Sequence, residues 1–439
     1  MYHSDLHLAL SDNGETFAAA EEPQCSINKG CPGDSFIKVF GKTGKLLWTY
    51  PSKNATRKLQ VMSNPAISRN GDYVAAQTIT ELCLNKYWDS VSERRKDIAK
   101  DIRISSTTLC PANIVLFDKA GKVLWSKPGR GFIKISPDSK CVMVIPVVFG
   151  GREFFYSDPF KSPTKISKNY PLGYSWKLFD MNGNLVMEKP VKSLYDLHSV
   201  LLLAQTEKTR GPFSDDGRYF IFGNALWDSS GSKPQKVEIK GLPENSIFTN
   251  ISPNGRYAVA YSSTAADYTS YSWDSLVSDY DEDDTTLEDP DKIAYMTWPI
   301  YFIDLQKQKV LYTKTLPKAK NFGLLLSTKG RAMNNLRLIY RVAPILTNKY
   351  FVAKDSNTDF QLVDVTTGKE FLYASADQNI TSDANDIGDN RLLINTTLQN
   401  LPNAGTSCSI QSKNVYFQRG KYVIGEGKNN MGMILEQLP

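Results

Sequence analysis

Histidine is nearly missing from this chain: three residues in 439, at His3, His7 and His198. That scarcity argues against zinc sites, which group histidines and cysteines at tight spacings, and leaves acid–base work near neutral pH with few carriers. His198 stands beside the apolar run 200–203 and reads as a buried strand or loop residue rather than a base. No apolar run approaches the ~18–20 residues that a membrane-spanning helix needs. No Gly-x-Ser-x-Gly is followed by a histidine, which removes the serine hydrolase reading. No two cysteines are adjacent. The first fifteen residues, Met1 to Glu15, are too polar for a secretory signal, so the chain is either cytosolic or starts after a removed leader or anchor.

Hydrophobic residues make up 41% of the chain and charged residues 22%, a globular composition able to bury a large core. The net charge of +6 hides an uneven distribution, because residues 279–291 carry only acidic charge and the remainder is correspondingly basic. A basic body with one acidic loop suits anionic glycans or lipids, or else is an evenly solvated surface. No interleaving of aromatics and arginines points to nucleic acid. Within the acidic stretch Asp279, Asp281 and Asp283 alternate, and Asp284 and Glu288 complete a candidate Ca2+ ligand set. Calcium takes six to eight hard oxygens at flexible distances, which alternating aspartates in a loop can supply. The spacing is not that of an EF-hand, since Asp284 stands where glycine belongs and Glu288 comes too early. The expectation is an irregular calcium site or a solvated acidic loop.

Six cysteines are placed suggestively. Cys25 and Cys31 are close in sequence, Cys83 and Cys110 bracket one insertion, and Cys141 and Cys408 remain. An even count flanking loops is how disulfide staples look, which favours an extracellular, cell-surface or periplasmic protein over a cytosolic one with free thiols. Four Asn-x-Ser/Thr sites, at Asn54, Asn250, Asn379 and Asn395, are compatible with that.

The fold is the most legible feature. Between Asn113 and Val148 four apolar runs rich in β-branched and aromatic residues are separated by turn residues, which predicts four antiparallel strands and one propeller blade. Turns of one kind fall at Asp12-Asn13-Gly14, Arg69-Asn70-Gly71, Asp138-Ser139, Asp216-Gly217 and Asn254-Gly255, with weaker forms at Asn348-Lys349 and Gly388-Asp389. A second kind, ending in Gly-Lys-x-Leu-Trp at its clearest, falls at 42–44, 119–121, 181–183, 229–231, 306–308, 366–368 and 419–420. The two kinds alternate. They predict an all-β chain, a single β-propeller domain over 1–439 of about seven four-stranded blades, in which the hairpin Val415–Ile424 pairs with Leu6–Ala20 to close one blade from both chain ends. Insertions interrupt the repeat at 79–112, 149–175, 264–297 and 317–341. The first carries Tyr87, Val91, Ile98 and Ile102 at roughly helical spacing.

The segments SPNGRYAVAYSS (252–263), SDDGRYFIFGNA (214–225) and SRNGDYVAAQT (68–78) resemble the strand-turn-strand signature of WD-repeat-like bacterial propellers. FGKTGKLLWTY (40–50) and FDKAGKVLWSK (117–127) are similar to the repeat of quinoprotein-type propellers. That resemblance implies that Trp48 and Trp125 pack against the neighbouring blade. The pairs Trp88-Asp89, Trp227-Asp228 and Trp273-Asp274 do not recur at one blade position, unlike the full WD signature. Quinoprotein dehydrogenases hold their cofactor with a vicinal disulfide and calcium ligands, and no adjacent Cys-Cys pair exists here. Asp12 to Phe17 matches half of a sialidase-type box once, with Leu10 where serine belongs.

Long loops on a rigid scaffold are where recognition usually resides. The functional expectation is therefore a non-enzymatic binding or adhesion module of the cell surface or envelope, taking a protein or glycan through loops on one propeller face. A glycan hydrolase or lyase using carboxylates at the central channel, and a cytosolic scaffold, are the alternatives. No individual binding residue is assigned.

Overall fold

In the computed structural model the described residues are 6–21, 36–51, 59–61, 65–80, 112–129, 131–146, 175–190, 212–262, 299–314, 345–354, 359–374, 384–388, 391–394, 397–401, 406–409, 412–419, 422–427 and 433–437. Strands are their only long elements, and they run antiparallel in sequence order, each pairing with the next. The first sheet holds β1 (Leu6–Leu10), β2 (Thr16–Glu21), β3 (Ile37–Gly41) and β4 (Leu46–Tyr50). The second holds β5 (Leu59–Val61) and β6 (Ala66–Ile67), both paired with β7 (Tyr73–Thr80), then β8 (Ala112–Asp118) and β9 (Val123–Pro128). The third holds β10 (Phe132–Ile135), β11 (Cys141–Ile145), β12 (Ser175–Asp180) and β13 (Leu185–Pro190).

The fourth sheet is β14 (Tyr219–Phe222), β15 (Ala225–Asp228) and β16 (Gln235–Lys236), extended by a bridge between Phe213 and Phe220. The fifth is β17 (Ser246–Ile251), β18 (Tyr257–Ser262), β19 (Ile300–Asp304) and β20 (Lys309–Lys314). The sixth is β21 (Ile345–Leu346), β22 (Tyr350–Lys354), β23 (Asp359–Asp364) and β24 (Glu370–Ala374). A seventh follows with β25 (Ala384–Gly388), β26 (Arg391–Ile394), β27 (Thr397–Asn400) and β28 (Thr406–Ser409). An eighth contains β29 (Ser412–Arg419), β30 (Tyr422–Gly427) and β31 (Met433–Gln437). Successive up-and-down sheets of four strands are propeller blades, and the all-β, propeller-type expectation holds.

These sheets fall into two compact units. One comprises Met1–Val200 with Tyr416–Glu426 and Gly432–Pro439, the other Leu201–Val415 with Gly427–Met431. In the first unit the burial pattern explains why the strands read as continuous apolar runs. Val115 and Phe117 of β8 pack with Ala18, Val39 and Val74 and receive Trp48 and Tyr50 from β4. Ile114 and Leu116 point the other way and pack with Val142, Val144, Phe179 and Trp125. Alternate residues of a strand face opposite sides of its sheet, and here both sides are core. In the second unit Tyr257, Val259 and Phe302 pack on Phe351, Val363 and Val365 in the same way.

Three expectations are corrected. The four strands between Asn113 and Val148 are not one blade: β8 and β9 end the second sheet, and β10 and β11 begin the third. The crossing is made at Gly131, whose φ of 153° turns the chain between them. The expected pairing of Val415–Ile424 with Leu6–Ala20 is also not the one formed. Both N-terminal strands are completed by their sequence neighbours β3 and β4, while the C-terminal strands form a sheet of their own. Both chain ends nonetheless belong to the same compact unit. The described strands sort into eight sheets rather than seven. The connection between β27 and β28 lacks the Gly-Lys-x-Leu-Trp signature, and the hairpin at 419–420 joins the first two strands of the eighth sheet.

Candidate interaction surface

In an up-and-down sheet the first and third turns lie at one end of the strands, and the second connection and the exit lie at the other. The two ends of these blades are built differently.

At the first-turn end each loop is locked by its own side chains. Ser11, Ser68, Ser136, Ser214 and Ser252 are buried. Each hydroxyl accepts the N–H five residues on, at 2.8–3.0 Å, from Thr16, Tyr73, Cys141, Tyr219 and Tyr257. Each also donates to the Asn or Asp two residues on, at 2.6–2.9 Å. Thr347 replaces serine in the weaker Asn348-Lys349 turn and accepts the Tyr350 N–H at 2.8 Å. These Ser–Asp and Ser–Asn pairs hold turns; their hydroxyl protons are committed, which is no arrangement for a nucleophile. Neighbouring turns are also tied together. The Asp12 N–H donates to the Arg69 carbonyl at 3.0 Å, and the Asp215 N–H to the Pro253 carbonyl at 2.7 Å. The Asn254 N–H donates to Asn348 Oδ1 at 2.8 Å.

The third turns use aspartate. Asp118 Oδ1 accepts the Ala120 and Lys122 N–H groups, and Asp180 Oδ1 those of Asn182 and Asn184. Asp364 accepts the Thr366 hydroxyl at 2.6 Å together with two backbone N–H groups. Partial burial pushes the Asp364 carboxyl upward, but the Thr366 hydroxyl and the Thr367 and Thr366 N–H groups outweigh it, and the group titrates below its ordinary range. At Asp228 burial is likewise outweighed by the Arg218 guanidinium, 2.9 Å away. A depressed carboxyl adds stability above its unfolded pKa of ~3.9 and loses it as pH falls through the lower folded value. Thermal unfolding followed downward from about pH 5 should show a falling midpoint. Asp364→Asn should be less stable than the native protein at neutral pH and should converge with it at the acid end; an unchanged gap would contradict the role given to this carboxylate.

Tryptophan performs the service expected of it. Trp48 Nε1 donates to the Lys119 carbonyl at 3.1 Å, and Trp125 Nε1 to the Met181 carbonyl at 3.0 Å. Each indole leaves its own outer strand and lies on the third turn of the next sheet, where Gly121 and Gly183 leave room for the ring: a Cβ at either glycine would stand 2.7 or 2.9 Å from it. In the second unit Tyr312 takes this place and its hydroxyl donates to the Asp364 and Val365 carbonyls, both at 3.0 Å.

The other end of the blades carries the insertions. Residues 22–35, 81–111, 147–174 and 263–298 each join the second strand of a sheet to its third. Their stems are fixed by ladder pairs: Ala20 with Ile37, Ile79 with Ala112, Val144 with Lys177, and Tyr261 with Ile300. Residues 315–344 leave from the last strand of the fifth sheet and enter the first strand of the sixth, hence from the same end of the strands. Asp279, Asp281, Asp283, Asp284 and Glu288 lie outside the described residues, as do Cys25, Cys31, Cys83, Cys110 and His198. Cys408 lies on β28. Cys141, included among the disulfide cysteines by the sequence, is a free thiol at the start of β11. Burial, only partly opposed by the Ser136 hydroxyl, pushes it up to about 12, so it stays protonated and unreactive at neutral pH. Asn250 is 8% exposed within β17, so its glycosylation sequon is inaccessible in the folded chain. Trp227-Asp228 lies on β15, where Asp228 pairs with Arg218.

A third feature is not evident from the sequence alone. Leu46 and Leu47 on β4, Val123 and Leu124 on β9, and Leu185 and Val186 on β13 are exposed, from 40% at Val123 to 51% at Leu185. Each pair occupies the second and third positions after a turn glycine: Gly44, Gly121 and Gly183. The apolar pattern was visible, but its burial in a strand could not be judged without knowing that these strands are sheet edges.

Fold and surface thus define a blade-repeat protein of the propeller type, in whose described blades the first-turn end of the strands is bonded into tight turns and the opposite end of the strands carries the insertions. No family model and no curated protein matches the chain. Among solved structures the chain is similar to BamB from Moraxella catarrhalis, at 10% identity and a TM-score of 0.45 over 100% of this chain and 97% of that one. It is also similar to the C-terminal WD40 domain of Sif2, at 7% identity and a TM-score of 0.46 over 99% and 96% of the two chains. No helix among the described residues is long and apolar enough to cross a membrane.

Proposed function

We propose that this chain is a non-enzymatic binding module of the cell surface or envelope, which takes a partner protein through the insertions at one end of its blades. The observation that supports this is the asymmetry of the blades. At one end the turns are short and bonded to each other; the insertions at 22–35, 81–111, 147–174, 263–298 and 315–344 all leave from the opposite end of the strands. Rigid ladders fixing the stems of long variable segments is how binding loops are presented on β scaffolds. Disulfides Cys25–Cys31 and Cys83–Cys110 would tie two of these insertions in an oxidising compartment.

The test is to replace residues 264–297 by a Gly-Asn-Gly turn. Tyr261 and Ile300 already face each other across the β18–β19 ladder, so the turn closes a hairpin that exists. The variant should keep the thermal transition of the full chain and lose the partner that the full chain captures from an envelope fraction. Undiminished capture would remove this insertion from recognition.

A further inference from the structure

We propose that the outer edges of the first three sheets, β4, β9 and β13, each accept an extended acidic and apolar segment of a partner protein, added as a parallel strand. This rests on the protein-binding reading above and supplies the form of one contact: a strand laid along the blade edge, apart from the insertions.

The first observation is repetition. Among the described residues β4, β9 and β13 are the last strands of their sheets, and each exposes an aliphatic pair at the same two positions after its turn glycine. Scattered exposed leucines are ordinary, whereas the same pair on three successive edges is a patterned surface.

The second is a precedent within the chain. In the second unit Gln308 holds the place of the turn glycine, with a φ of 48°, and Val310 and Leu311 are the equivalent pair. There the edge is occupied. The Lys240 N–H donates to the Gln308 carbonyl at 2.8 Å, and the Val310 N–H donates to the Lys240 carbonyl at 3.1 Å, forming a parallel bridge from Lys240 to Lys309. A Cβ at Gly241 would lie 3.8 Å from Val310 Cβ, and Val310 and Leu311 are only half-exposed. The covering strap alternates, with Val237 and Ile239 buried and Glu238 and Lys240 exposed. The fold therefore displays the occupant that such an edge takes.

The edges share one register. A β-bulge precedes the outer turn at Val39/Phe40, Leu116/Phe117, Leu178/Phe179 and Phe302/Ile303. The groups equivalent to the Gln308 carbonyl and the Val310 N–H are the Gly44, Gly121 and Gly183 carbonyls and the Leu46, Val123 and Leu185 N–H groups. Among the described residues no further strand pairs with these edges, and edges of this kind are templates for strand addition.

Charge selects the partner. Lys45 and Lys122 stand immediately before the aliphatic pairs and are exposed, as is Lys119, while the Asp118 carboxylate is turned back onto its own loop. An acidic strand is complementary to these edges. On β13 the equivalent residue is Asn184, so that edge should bind its strand least tightly.

The experiment uses a fluorescein-labelled peptide, acetyl-Glu-Val-Glu-Ile-Glu-Val-Glu-amide, and the full chain, read by anisotropy. Saturable binding that weakens with added salt is expected. The triple variant Leu46→Lys, Val123→Lys, Leu185→Lys alters only exposed side chains and should weaken binding by at least about tenfold. The sign discriminates: attraction by charge alone would tighten when lysines are added, and that result overturns the proposal. So does no binding, binding to phosphatidylglycerol vesicles but not to the peptide, or a dimer of the native chain that the same variant dissociates. Peptide binding that fails while capture through residues 264–297 persists counts against the edge alone; the converse counts against the insertions alone.

Discussion

Gly131→Ala is expected to cost on the order of 4 kcal/mol or more and to unfold the third sheet. Gly131 has a φ of 153°, and a Cβ there would stand 2.0 Å from the Ile145 carbonyl oxygen, 2.7 Å from its carbon and 3.1 Å from Pro146 Cα. All three atoms are backbone, so no side chain can swing aside. They sit at the end of the β10–β11 ladder, where Phe132 pairs with Ile145, and the Gly131 N–H donates to Gln77 Oε1 at 2.8 Å. Relief would require opening that ladder and releasing Gln77, which is buried in β7. Gly44→Ala is the matched control. Gly44 also has positive φ, 76°, but nothing lies within 4 Å of its Cβ position, so it should cost only the ~1–2 kcal/mol of backbone strain. Urea midpoints of the two variants separate steric exclusion from strain; similar values would contradict the geometry at Gly131.

Trp125→Ala should cost about 3–5 kcal/mol, the range for truncating a large buried aromatic. Trp125 is buried, lies 5.6 Å from the Phe179 ring, and closes the core shared by the second and third sheets. Trp125→Phe keeps much of the ring contact and gives up the bond to the Met181 carbonyl, so it should recover most of the loss, leaving about 1–2 kcal/mol. Trp48→Ala should cost less than Trp125→Ala because Trp48 is only partly buried, although it makes the same bond to the next turn. Equal losses at both tryptophans would show that the deeper burial of Trp125 is not what distinguishes them.

The turns were legible because their chemistry is local. Every Ser-x-Asn-Gly and Ser-x-Asp-Gly stretch in the sequence proved to be a first turn, since serine, Asx and glycine satisfy the loop without help from the rest of the chain. The tryptophan contacts were legible for a related reason: a bulky apolar residue at a fixed distance from a turn glycine repeats with the blade. Phasing was not legible. Whether β9 pairs onward to β10 depends on the direction the backbone takes at Gly131, and a single glycine in Pro-Gly-Arg-Gly does not announce a φ of 153°. The exposed pairs escaped notice because aliphatic residues in a strand look alike at a sheet's centre and at its edge. Asn250 shows the reverse, a motif that looks accessible as sequence and is interior to β17.

The claim that recognition occupies one end of the blades is tested most directly by site-specific photo-crosslinking in the native host. A benzophenone amino acid placed at Tyr87, Tyr156 or Tyr271, within three insertions, should join the chain to another protein. The same probe at Glu15, Lys140 or Arg256, all exposed in the bonded first turns, should give the chain alone. Adducts confined to the turn positions, or absent from all three insertions, would contradict the account.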